Sequence, residues 1–214
     1  MLRSTDRTSE HSTSMTNSQT NVMETKRLAL RHLTIGDLDA LAAIYADPQV
    51  RRYFPEGTLT HEETREELEW IIDVYYGRFG LGLWATVLKE SGALIGRCGL
   101  LPWTASPGAS GVMTLEHPGV DPPEPDELEV EVAYLLAREY WGRGLATEAA
   151  QAIVDYAFAD LRLPRLICLF EPENLASGNV ARKIGMTFEK DVEVDGEVIP
   201  LYSMSSGSRG RRTF

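Results

Sequence analysis

The stretch that most restricts what this chain can fold into is Trp141-Gly142-Arg143-Gly144-Leu145-Ala146-Thr147-Glu148, because the sequence changes character on either side of it. Before it, residues 128–136 alternate acidic and β-branched side chains and then become fully apolar, as in a strand buried toward its end. After it, Ala149, Ile153, Ala157 and Leu161 fall on one helical stripe, with Ala150 and Val154 beside them. The chain reads strand, glycine loop, helix. Two glycines let the backbone turn with its N–H groups bare, and the first turn of the helix adds unpaired donors and roughly half a positive charge. That is a cradle for an anion, most naturally a phosphate or pyrophosphate. A helix start with nothing bound, or a Rossmann turn, would give the same local signal. Thr147 stands where a dinucleotide fingerprint carries Gly or Ala, and no βαβ unit leads into the loop. No Gly-Lys-Ser/Thr occurs, which excludes a P-loop.

The 214 residues, 43% of them hydrophobic, suffice for one well-buried domain. No run approaches 18 apolar residues, so no transmembrane helix is expected. The formal charge of −11 argues against nucleic-acid or anionic-membrane partners and suits a cationic substrate. Residues 1–22 are Ser/Thr-rich and lack the apolar core of a secretory signal, so they read as a disordered tail, as do residues 205–214. The domain is expected over residues 23–204. Cys98 and Cys168 fit no metal spacing and read as buried thiols in a reducing cytoplasm. No metal site is expected.

In order, residues 24–31 form a strand, and Leu38, Leu41, Ala42 and Tyr45 sit at helical spacing up to Asp47-Pro48. Thr60 opens a second helix, with Gly77 as its stop. Residues 83–88 and 94–101 are hairpin strands around Lys89-Glu90-Ser91-Gly92. Residues 102–126 carry six prolines and several glycines and read as a long irregular insertion; His117 lies in it as a solvent-exposed side chain. Residues 166–170 are a strand covered on both faces, and Gly185 caps a short helix after Asn174. Asp195-Gly196 joins a last hairpin. The order β-α-α-β-β-β-α-β-α-β-β gives a mixed α/β (α+β) layered fold.

Three ordered blocks carry a resemblance. Trp141-Gly-Arg-Gly-Leu-Ala-Thr-Glu-Ala149 looks like the acetyl-CoA pyrophosphate loop of the GNAT superfamily of N-acetyltransferases, and Trp at its head is similar to the branch that acetylates ribosomal-protein N-termini. Asn174-Leu-Ala-Ser177-Gly-Asn-Val180-Ala-Arg-Lys183-Ile-Gly185-Met186 resembles that branch's Asn-x-x-Ser-x-x-Val-x-x-Lys-x-Gly-Phe pattern. Glu24-Thr-Lys-Arg27-Leu-Ala-Leu-Arg31 is similar to its opening strand. The resemblance implies a GNAT-type fold and acetyl transfer from acetyl-CoA to a primary amine through a tetrahedral intermediate. A protein N-terminal α-amine, a polyamine or an aminoglycoside could be the acceptor, and a non-catalytic acetyl-CoA-binding module is the alternative. A homodimer is compatible with it.

It also implies roles. Residues 141–147, that is Trp141, Gly142, Arg143, Gly144, Leu145, Ala146 and Thr147, would hold the diphosphate; Tyr134, Leu135 and Leu136 would run along the pantetheine arm, with an oxyanion donor near Leu135 and Asn174 on an amide of that arm. Transfer needs a base for the amine, a donor for the oxyanion and an acid for the thiolate. Glu129 and Glu131 project from one strand face, and Glu131 stands where many such enzymes carry the base. The family's usual acid, a Tyr, is Ala181 here, which shifts that role to Ser177; the competing reading of Ser177 is a helix cap. Tyr53, Phe54, Tyr75 and Tyr76 are expected in packing or along the acceptor cleft.

Overall fold

A computed structural model describes residues 21–108 and 112–208. The expected tails at residues 1–20 and 209–214 lie outside that range. Residues 21–22 and 205–208 do not: they belong to ordered elements at the two ends of the fold.

All described strands join one nine-stranded sheet, in the order β1-β2-β3-β4-β5-β8-β9-β7-β6. The expected first strand is two, β1 (Asn21–Glu24) and β2 (Leu28–His32), folded back on each other. The break is at Thr25, whose N–H donates to the Leu28 carbonyl at 2.8 Å. α1 (Leu38–Tyr45) and α2 (His61–Trp70) cover one face. A capping box starts α2: Thr60 Oγ accepts from Glu63 N–H, and the Glu63 carboxylate accepts from Thr60 N–H. α2 then widens into π-helical turns over Ile71–Phe79 and ends at Gly80, which has φ 64°. The helix therefore runs past Gly77, whose backbone the wide turns absorb.

β3 (Gly82–Leu88) and β4 (Ala93–Pro107) form the first hairpin, and β6 (Leu128–Leu136) lies on β4's other edge from Gly96↔Leu136 to Thr104↔Leu128. α3 (Leu145–Ala159) and α4 (Leu175–Lys183) pack on the second face, α3 through Ala149, Ala150, Ile153, Val154 and Ala157. β7 (Arg165–Leu169), β8 (Thr187–Val194) and β9 (Glu197–Ser205) complete the sheet, with Asp195 and Gly196 both at positive φ in the turn before β9.

The insertion departs most from expectation. Its first part continues β4 to Pro107, and β5 (Met113–Glu116) returns against it, with Thr104 opposite Glu116. Pro102 is tolerated because β3 ends opposite Leu100 and β5 begins opposite Thr104, so one edge of β4 is unpaired there. β5 then pairs in parallel with β8. The strands β4, β5, β8, β9, β7 and β6 thereby close into a ring, since β6 returns to β4. Trp103, Leu115, Ile167, Val192, Ile199 and Leu201 fill it, all buried.

If that ring is a structural unit, Leu115→Ala should cost about 2–5 kcal/mol, the usual range for a fully buried leucine. Urea unfolding of the two proteins checks this; a loss below about 1 kcal/mol would show that β5 contributes little to the core.

Candidate active site

The glycine loop follows β6 through a short 3-10 turn at Arg138–Tyr140. Gly142 and Gly144 have φ of 72° and 73°, a region in which only glycine is comfortable. Gly144 is the N-cap of α3 and brings no side chain to the cap; the first helical bond is Glu148 N–H to the Gly144 carbonyl, at 3.1 Å. Among the described residues, the N–H groups of 142–147 have no protein acceptor.

The loop is fastened from outside. The Trp141 indole donates to the Leu136 carbonyl at 2.7 Å, and Arg143 lies over the Tyr140 ring. Arg27 donates to the Arg143 carbonyl at 2.9 Å and to the Glu148 carboxylate at 2.6 Å, and the Thr25 hydroxyl donates to Glu148 as well. Burial alone would raise Glu148, but these donors outweigh it and hold the carboxyl below its usual range. The Thr-x-Arg of the opening block is thus a clamp on the first turn of α3.

β6 and β7 share a single bridge pair, Glu131↔Ile167, and then part. Ala137 N–H donates to the Ile95 carbonyl beside β4, so by strand alternation Leu135 also faces β4, while the main-chain groups of Tyr134 and Leu136 face the open edge. Of the N–H groups near Leu135, those of Tyr134 and Leu136 face the open edge and that of Leu135 does not.

Glu131 sits at this fork. It is 7% exposed; its Oε2 accepts from the Trp103 indole at 2.8 Å and its Oε1 from Leu169 N–H of β7 at 3.3 Å. Burial pushes its carboxyl up to about 7, against the pull of those two donors and of Arg97. The charged and neutral forms are both accessible near neutrality, which suits a group that takes and returns a proton.

Around the fork runs a cleft of about 1050 Å³, lined from β6, the glycine loop and the first turn of α4 but not from the opening block at residues 24–31. Tyr134, Leu135, Leu136, Trp141, Gly142, Gly144, Leu145, Ala146, Thr147, Asn174 and Ser177 all line it; Arg143 does not, its carbonyl held by Arg27 and its guanidinium over the Tyr140 ring. Glu129 does not line it. Its carboxylate is taken by Arg165 at 3.0 and 3.2 Å, and Arg165 also holds Glu189, so Glu129 is a structural ion-pair partner one pleat away from the fork. Asn174 is the N-cap of α4, accepting from Ser177 N–H at 3.1 Å. The cap is Asn174, so the reading of Ser177 as cap is set aside. Tyr134 donates to the Ser177 carbonyl at 2.9 Å and fixes that turn against β6.

Tyr53, Phe54 and Tyr75 line the cleft. Tyr76 instead accepts from Leu33 N–H, donates to the Leu83 carbonyl and stacks on His32. Sequence reasoning missed two features. Arg97 and Arg51 are buried around Tyr45 and Glu67 along the cleft, Arg97 donating to the Tyr45 hydroxyl. The signal was an arginine inside the apolar run 94–101. Trp103 was hidden among prolines, as was the position of His117, which is exposed as expected yet stacks 3.9 Å over Trp103 at the cleft mouth. No cluster of three metal-ligating side chains occurs among the described residues, and no described helix is long and apolar enough to cross a membrane.

Residues 27–187 match the acetyltransferase (GNAT) domain family. N-acetyltransferase p20 of Bacillus licheniformis is 28% identical over 190 residues, covering 85% of this chain and 93% of the relative. A crystal structure of an acetyltransferase from Agrobacterium tumefaciens superposes with a TM-score of 0.66 at 30% identity, over 85% of this chain and 92% of the other. The RimL ribosomal-protein acetyltransferase bound to coenzyme A shares the fold, with a TM-score of 0.66 at 16% identity, over 87% of this chain and 98% of that one. With the family matched across three quarters of its length, this chain belongs to the GNAT family of N-acetyltransferases.

Proposed function

We propose that the protein transfers an acetyl group from acetyl-CoA to a primary amine by direct attack, with Glu131 as the base and Ser177 as the acid. Acetyl-CoA supplies the activated acyl group as a thioester. The residues present suit it: the unpartnered N–H groups of 142–147 match a diphosphate, and the open edge at Tyr134 and Leu136 matches the amide-bearing arm. Glu131 accepts the amine's proton, directly or through water. A main-chain N–H at the open edge of β6 stabilises the oxyanion. The Ser177 hydroxyl, whose proton the Asn174 cap leaves unused, protonates the departing thiolate. Two buried thiols, Cys98 and Cys168, fit a cytoplasmic setting.

The observation that carries this reading is a carboxylate buried at the fork between the Trp103 indole and the Leu169 N–H, which burial pushes up to about 7. An α-amine, at ~8, lies about one unit above it, whereas lysine at ~10.4 lies more than three above. That match supports a protein or peptide N-terminus as acceptor. A second reading has its own support: Glu171, Glu173, Asp195 and Glu197 line the cleft rim without a basic partner among the described ion pairs, which favours a polycationic small amine. Thiol release from acetyl-CoA with a panel of N-terminal peptides, polyamines and aminoglycosides decides between them. No release with any amine, together with no acetyl-CoA binding by calorimetry, would refute the enzyme reading.

Two variants test the assigned roles. Glu131→Gln should lower kcat/KM by about 10²–10⁴-fold, and the limb near pH 7 should vanish from the rate profile, leaving the limb of the acceptor amine. The same change should stabilise the fold at high pH. Because Glu131 binds its proton more tightly folded than unfolded, its neutral form favours the fold, and that contribution is lost as pH rises from about 4.5 through about 7. Unfolding curves at pH 5 and 8 read this; equal stability of both proteins at pH 8 would contradict it. Ser177→Ala should lower kcat at least ~10-fold while the acetyl-CoA Kd changes less than ~2-fold. An unchanged kcat would remove Ser177 from the mechanism.

A further inference from the structure

The proline-rich insertion at residues 102–126 supplies the shorter of the two hydrogen bonds to the Glu131 carboxylate. β4 runs past the point where β3 ends, β5 folds back on it, and the ring closes through β8. Trp103 lies in that extension, opposite Glu129 in the β4–β6 register, while Leu101 stands opposite Glu131. The indole therefore runs diagonally along the sheet to reach the Glu131 carboxylate at 2.8 Å. Trp103 is 6% exposed, packed among Leu115, Ile167, Val192, Ile199 and Leu201. His117, just beyond β5, stacks on it at 3.9 Å with an interplanar angle of 25°, and the Tyr75 hydroxyl reaches toward His117 Nδ1 at 3.5 Å. An indole fixed by a closed ring of strands and covered by a second aromatic ring has one orientation.

We infer that the β4–β5 hairpin is an active-site element of this protein, and that Trp103 is a positioning residue whose indole N–H holds the Glu131 carboxylate at the β6–β7 fork. The inference rests on Glu131 as the base, proposed above, but its test reads Glu131 directly. Around Glu131 stand Arg97 from β4, Tyr134 from β6, Cys168 from β7 and Tyr75 from the turns after α2; His117 stacks on Trp103. Of these, only Arg97 carries a full charge near neutrality, and it favours the carboxylate. The indole is the side-chain donor that touches the carboxylate, and Leu169 N–H is the main-chain one.

The decisive substitution is 3-benzothienylalanine at position 103, which replaces the indole N–H by sulfur and keeps the ring shape and its stacking with His117. Trp103→Phe is the genetically simple companion. The reading is the titration of the Glu131 carboxyl carbon by NMR in glutamate-labelled protein, assigned by its disappearance in Glu131→Gln. The expected result is an upward move of its midpoint by about one pH unit, the size of a lost hydrogen bond to a charged group. The acid limb of kcat/KM should move by the same amount, with KM for acetyl-CoA unchanged. A midpoint that stays within ~0.3 unit of wild type in the benzothienyl protein overturns the inference, whatever the activity. Full activity of Glu131→Gln would overturn the base assignment instead, and leaves the midpoint shift to decide the hairpin's role by itself.

Discussion

The fork between β6 and β7 is the constraint on which the rest of this structure depends. β6 is hydrogen-bonded along its whole length to β4, yet meets β7 at one residue pair. Open backbone edges inside a fold are costly unless something else satisfies them. Here a side chain does so at the vertex, where Glu131 accepts from the Leu169 amide. Beyond the vertex Tyr134 and Leu136 turn their N–H groups to the open edge, and a second bare set follows at residues 142–147, past a 3-10 turn in which Tyr140 and Trp141 N–H donate to the Ala137 and Arg138 carbonyls. Both sets of main-chain donors line the same cleft. Two side-chain charges beside the loop, Arg27 and Glu148, are spent on each other and on fixing it.

The vertex is held from two directions. On the coenzyme side, Tyr134 and the Asn174 cap fix the first turn of α4, and with it Ser177, against β6. On the other side, the closed ring presents Trp103, and Arg51, Glu67 and Arg97 cluster around buried Tyr45. A buried carboxylate costs stability in its charged form. At Glu131 the Trp103 indole, the Leu169 N–H and Arg97 offset part of that cost. The ring is the means by which an otherwise exposed hairpin becomes rigid enough to aim one indole at it.

Much of this was legible in the residues. β6 spans residues 128–136 as the alternation of Leu128 to Leu136 requires, and the last hairpin turns at Asp195-Gly196. The loop and α3 follow from two glycines and a helical stripe. What the sequence hid has physical causes. Prolines at 102 and 107 forbid a strand only where both edges need hydrogen bonds, and β4 lacks a neighbour on one edge beside Pro102. The pairing of β5 with β8 joins segments almost 80 residues apart, and no local pattern encodes it. Glu129 and Glu131 are equivalent by periodicity; Arg165, distant in sequence, separates an ion-paired acid from one left at the fork. Ser177 and Asn174 exchange the capping role because the helix begins one residue after Asn174.

The account is tested most directly by following backbone amide resonances as coenzyme A is added. The N–H signals of Leu136 and of residues 142–147 should shift strongly, while that of Leu135, which faces β4, should move little. If the largest shifts fall away from the fork and the glycine loop, or if Leu135 responds as strongly as Leu136, the open edge of β6 is not where the thioester arm lies.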